Sequence, residues 1–168
     1  MINGYKVRDT QNNNADREVA LKLDIFQKKI DKMIQMCSSP GHLRTDPKIN
    51  TLIKNNRWIL EGLTLLKSMH FKFKGLSEIP TGNYRGMNYP MGVHLTEKVP
   101  ISRDGSLRPK TRQIYLSIRN VSDKHIKDVL IHELAHTLSN DVIYYSEHTP
   151  DFYLAEQVIK FMWKSCKF

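Results

Sequence analysis

The sequence lacks any hydrophobic run long enough to span a bilayer. Its opening stretch, "MINGYKVRDTQNNNADR", has no apolar core of the kind a secretory signal needs, so secretion is not expected. Cysteine is scarce. Cys37 and Cys166 are the only two, far apart and without metal-type spacing, which excludes a disulfide scaffold and points to free thiols in a reducing compartment. An intracellular protein, cytoplasmic or nuclear, follows as the expectation. Acidic residues are also few, 17 against 26 Lys and Arg, giving a net charge of +9. That balance favours acidic partners, nucleic acid first, although a basic surface can serve solubility alone. There are no internal repeats, and "NNN" is the one low-complexity tract.

What is present is an ordinary globular composition, 40% hydrophobic and 26% charged, over 168 residues. That length suits a single domain able to bury a core without structural metals. Residues 1–15 are polar and Asn-rich and are expected to be flexible. The remaining 16–168 divide into a helical N-terminal part, 16–70, and a second part, 71–168. In the first, Val19, Leu23, Phe26, Ile30 and Ile34 recur at helical spacing over 17–37. "SSPGHLRTDP" is expected as a loop, followed by one helix from Pro47 to about Met69 with Asp46 or Thr45 as its N-cap.

In the second part, "HFKFKG" alternates like a short edge strand, and another strand is expected near Met91–Leu95. "RQIYLSIRN", 112–120, alternates Ile114, Leu116 and Ile118 against polar neighbours, as a half-buried strand does. A helix should start after Ser122 and run to about Ser139, a loop should cover 140–148, and a last helix should begin near Pro150.

The helix after Ser122 carries "DVLIHELAHTL", 128–138. His132 and His136, four apart, share one helical face and can converge on one ion. Glu133 lies beside them, where it can take a proton from a water that a zinc ion has acidified and pass it to a leaving amine. This is the HExxH arrangement. Val129, Leu130, Ile131, Leu134, Ala135 and Leu138 make the helix apolar nearly all round, as a central buried helix is. A carboxylate buried there needs a partner, and a cation supplies one. The competing account is a core histidine pair with Glu133 bonded to a neighbouring strand.

A catalytic zinc takes three protein ligands and keeps one open position. His148, in "SEHTPDF", leads for the third; Glu147, Asp151 and Glu156 are the alternatives. Tyr144 or Tyr145 could donate to an oxyanion, although loop tyrosines more often pack. His94 and Arg119 could line the cleft but read better as structural. His42, His70 and His125 show no partner pattern, and Trp58 and Trp163 fall within helical apolar stripes. "EKVPISRDGSLRPKTR", 97–112, sets Lys98, Arg103, Arg108, Lys110 and Arg112 against two acids, a stretch suited to phosphates.

"RQIYLSIRN", "VLIHELAHTL" and "EHTPDF", in that order, resemble the WLM-type zinc metallopeptidases, relatives of the SprT-like proteases, and especially the short versions found in large DNA viruses. "GMNYPMGVHL", 86–95, loosely resembles an upstream strand of that family. The match covers residues 112–162 and none of 1–70. It implies His132, His136 and His148 as zinc ligands and Glu133 as the base. It also implies an α+β, zincin-like fold, with a small antiparallel sheet packed on the HExxH helix and N-terminal helices beside it. The implied activity is that of an endopeptidase, in nuclear members one that cuts proteins crosslinked to DNA. Two other classes stay open: a DNA-binding module that keeps the fold without turnover, and a metal-dependent hydrolase of a non-peptide bond.

Overall fold

The computed structural model describes residues 1–67, 72–79, 86–90, 98–100, 107–109, 111–139 and 148–168. Six helices and five strands are described: α1 (Asn13–Cys37), α2 (Pro40–Leu43), α3 (Pro47–Asn55), α4 (Trp58–Lys67), β1 (Lys72–Glu78), β2 (Gly86–Pro90), β3 (Lys98–Pro100), β4 (Leu107–Pro109), β5 (Thr111–Leu116), α5 (Asp123–Ser139) and α6 (Pro150–Ser165). The class is α+β. Among the described residues, no helix is long and apolar enough to cross a membrane.

The expected antiparallel sheet is mixed. Its order is β1-β5-β2, with β2 antiparallel to β5 but β1 parallel to it, Leu76 opposite Ile114. A parallel pair needs a long connection, and the chain between Glu78 and Thr111 supplies it. β3 and β4 form a separate antiparallel pair. β5 buries Ile114 and Leu116, and Ile118 continues the alternation past the strand end. The chain then turns at Asn120, whose φ of 58° is one that Asn tolerates better than most residues.

Local chemistry explains where the helices differ from expectation. The helix foreseen over 47–69 is two. Asp46 caps α3 by accepting from the Ile49 amide at 3.0 Å, and Pro47 opens it. Asn56 leaves helical geometry (φ −137°, ψ 67°) and its side-chain amide donates to the Leu52 carbonyl, so α3 stops and α4 starts afresh. In the expected loop at 38–47, Ser39 caps a single turn, α2, with Pro40 at its start.

One core joins these elements. α1 contributes Val19, Leu23, Phe26, Ile30, Met33 and Ile34, all buried at the expected spacing. α6 contributes Phe152, Ala155, Val158, Ile159 and Met162. Each such side chain adds about 1.5–3 kcal/mol on full burial. α5 lies at the centre, packed on α6, α4, β2 and β5. At Gly62 the backbone of α4 comes so close that a Cβ would stand 2.8 Å from Leu138 Cδ1, two residues beyond His136.

The polar N-terminal segment, residues 1–15, expected to be flexible, makes several contacts with the rest of the chain. Asn12 caps α1, the Tyr5 hydroxyl donates to Asp24 at 2.8 Å, and the Lys6 carbonyl accepts from the Glu78 amide at 2.9 Å. Its anchor is an ion cluster. The Arg119 guanidinium spans both Glu78 oxygens at 2.7 and 3.0 Å and reaches Asp16 Oδ1 at 2.9 Å. The Arg8 amide donates to Glu78 at 2.8 Å, and the Thr10 hydroxyl donates to Asp16 at 2.6 Å. Arg119 is therefore structural, as its sequence context suggested.

This cluster sets an acid limit on stability. For Asp16 the Thr10 hydroxyl bond, outweighing burial and helped by the Thr10 amide and Arg119, holds the carboxyl below its ordinary 3.8. For Glu78 burial pushes upward, but Arg119 and Arg8 together outweigh it and hold the group below 4.5. A carboxyl depressed in the folded state adds stability above its unfolded pKa and loses it as pH falls through the folded one. Urea midpoints should therefore stay flat down to about pH 5 and then fall steeply. The fall should be shallower in Glu78→Gln. Identical acid limbs in the two proteins would remove Glu78 from this account.

Candidate metal centre

His132 and His136 sit one turn apart on α5. Their Nε2 atoms are 3.2 Å apart, with rings edge to face. His148 comes in from the start of α6, its Nε2 also 3.2 Å from that of His132. The donor atoms of all three lie within 4.8 Å of one another. The position of His148 follows from local sequence. It immediately precedes Thr149, whose hydroxyl accepts from the Phe152 amide at 3.2 Å and caps α6, with Pro150 at the first helical position.

Phe152, 1% exposed, is the floor of the cluster. Its ring centroid lies 4.9, 4.5 and 4.3 Å from those of His132, His136 and His148, and it stacks on His148 at 13°. Aromatic packing on all three rings fixes their planes without using a ring nitrogen. Exposure rises across the group: His136 is buried, His132 half-buried and His148 exposed. One side is therefore dry and the other open to solvent, as a site with a free coordination position requires.

Two of the spacings suit one ion: zinc–imidazole bonds of about 2.0–2.1 Å at tetrahedral angles hold ligand nitrogens about 3.3 Å apart, close to the 3.2 Å of His132 to His136 and of His132 to His148. Among the described residues, His132, His136 and His148 form the grouping able to hold a metal ion.

Glu156, an alternative third ligand from sequence, sits elsewhere. Its Oε2 is 3.9 Å from His132 Nδ1, on the far edge of the ring from the cluster, and its Oε1 is 3.4 Å from Lys160 Nζ. The contact with His132 is of ion-pair length, longer than a hydrogen bond. Asp151 lies in the first turn of α6, outside the histidine group. Glu133 is 6% exposed, on the same turn as His132, and its carbonyl accepts from the Thr137 hydroxyl at 3.3 Å.

A groove of about 560 Å³ opens beside His132 between α5 and α6, with Ile131 and Trp163 as apolar lining and Lys127, Lys160 and Lys164 around them. Sequence reasoning gave Phe152 no role in the site. The signal for Phe152 was the Thr149–Pro150 helix start, which fixes the residue four beyond His148 on the first turn.

The other candidates are dispersed. His42 Nε2 is 2.7 Å from Ser165 Oγ. His125 is exposed, its amide bonded to Ser122 Oγ. Trp58 is buried in the core and Trp163 packs against its edge. His70, His94, Tyr144, Tyr145 and Glu147 lie outside the described residues, as do Arg103 and Lys110 of the basic stretch. Lys98, Arg108 and Arg112 fall on β3, β4 and β5. Comparison with protein-family models, curated proteins and solved structures returns no match to the chain.

Proposed function

We propose that this protein is a zinc-dependent endopeptidase of the zincin type, as the sequence resemblance implies. The observation that carries the reading is the convergence of the His132, His136 and His148 Nε2 atoms, with the buried Glu133 adjoining His132. Zinc held there supplies Lewis-acid polarisation of a peptide carbonyl and a water of lowered pKa. The chain's own residues do the rest. Glu133 accepts the proton from the attacking water and delivers it to the leaving amine nitrogen. Phe152 keeps the three imidazoles in register.

The +9 charge supports substrates carried on a polyanion, and with the resemblance it extends the proposal to DNA-associated or DNA-crosslinked proteins inside the cell. Two measurements test the core of the reading. Protein purified without added metal should hold about one zinc per chain. His148→Ala should lose most of it, whereas Glu156→Ala should keep it. A metal-free preparation that cleaves casein or histones would overturn the proposal. So would retention of zinc by His148→Ala alongside its loss from Glu156→Ala. Cleavage rates equal with and without DNA, at low salt and limiting substrate, would confine the function to general proteolysis.

A further inference from the structure

The groove between α5 and α6 holds about 560 Å³, within the span of about 300–1,000 Å³ usual for a ligand site. It opens at the Nδ1 edge of His132, where Glu156 stands 3.9 Å away, and its lining takes in none of His136, His148 and Phe152. It is therefore separate from the place where the Nε2 atoms converge. Ile131, 5% exposed, and the half-buried Trp163 form its apolar part. The Trp163 ring packs on that of Phe168, centroids 4.8 Å apart, which limits its freedom. Three lysines surround this patch. Lys127 pairs with Asp128 at 3.5 Å and Lys160 with Glu156 at 3.4 Å, both near solvent, where such pairs contribute little and open readily. Lys164 is exposed and makes no ion pair among the described residues.

We propose that this groove is a docking site for an acidic peptide segment anchored by one bulky apolar side chain. The proposal goes beyond the proteolysis and does not depend on it. The anchor follows from Ile131 and Trp163, because an aromatic ring held in a groove is the kind of centre that carries the binding energy of an interface. The charge of the segment follows from the lysines. They outnumber the two carboxylates, and Lys164 is left to receive an acidic side chain. A peptide suits the mixed lining better than a nucleic acid does. Asp128 and Glu156 would repel a continuous run of phosphates, whereas they can accept hydrogen bonds from the main-chain amides that a peptide brings. The chain's +9 charge draws an acidic segment in from a distance without fixing where it lands; the groove supplies the place.

The test uses the full chain carrying Glu133→Gln, so that binding is read without cleavage. The probe is a short labelled peptide with a central leucine flanked by glutamates, followed by fluorescence anisotropy. Its controls are the same peptide with lysines for the glutamates, the same with glycine for the leucine, and a labelled single-stranded oligonucleotide. The acidic leucine peptide should bind and both altered peptides should bind more weakly. Lys160→Glu with Lys164→Glu should weaken the acidic peptide about tenfold or more. Lys48→Glu with Lys54→Glu, exposed positions on α3 that change the net charge equally, should leave its affinity nearly unchanged. Tryptophan emission gives a second readout in the chain without lysine changes: Trp58 is 5% exposed in the core, so a shift on binding reports Trp163. No binding of the acidic peptide, equal losses from the two lysine pairs, equal binding of the glycine peptide, or binding with unchanged emission would each overturn the proposal. So would an oligonucleotide that binds more tightly than the peptide and loses that affinity with Lys160 and Lys164. Because the emission is read with all lysines in place, a variant that fails to fold does not blunt the test, and a chain without protease activity would leave it unaffected.

Discussion

Glu133→Gln is expected to bind zinc as the parent does and to lose about 10²–10⁴-fold in turnover, the contribution of one placed general base. Glutamine matches glutamate in shape, so the packing around this 6% exposed side chain on α5 should be retained. The carbonyl bond from Thr137 involves the main chain and is untouched. The proton acceptor is what goes. Metal content by elemental analysis, circular dichroism and single-turnover cleavage of an unfolded protein substrate should be measured on one preparation. Zinc and fold retained with activity lost assigns the proton transfer to Glu133. Activity within a few-fold of the parent removes it from the mechanism.

Arg119→Ala is expected to destabilise the fold by about 3 kcal/mol, the low end for breaking a buried ion pair, because Arg119 keeps 18% exposure. The cost arises at Glu78, whose side chain is wholly buried and would lose both bonds of the guanidinium fork, keeping the Arg8 contacts alone. Urea denaturation at neutral pH measures the loss. Replacing the pair together, Arg119→Leu with Glu78→Met, should recover only part of it, since the buried Asp16 also loses its bond from Arg119 and keeps its Thr10 contacts alone. A double variant as unstable as Arg119→Ala would show that the geometry of the cluster matters, not its charge balance. Zinc binding should persist in both, because the cluster contains no metal ligand.

Such differences track how far each contact reaches along the chain. α5 was legible to within a residue, because Ser122 and an apolar run delimit it locally. The pairing of His132 with His136 follows from the helical repeat, and His148 from the Thr149–Pro150 helix start. The Arg119 cluster was not legible, because Arg8, Asp16, Glu78 and Arg119 carry no shared pattern and meet only through the fold. The same holds for the parallel pairing of β1 with β5, which no turn signal announces. The break at Asn56 was missed for the opposite reason. It is local, but a single side chain competing for the Leu52 carbonyl leaves the apolar spacing of 47–67 undisturbed.

The Arg119 cluster also bears on time. It ties residues 8–10, the first turn of α1, the end of β1 and the turn after β5, segments that can meet only when the chain topology is almost complete. Its bonds are therefore expected to form late, after the folding barrier. Interactions absent from the transition state act on the unfolding rate and leave the folding rate nearly unchanged. On that expectation the N-terminal tie would act as a latch on the lifetime of the native state, and Arg119→Ala should raise the unfolding rate in urea while leaving the folding rate nearly unchanged, as stopped-flow mixing would read.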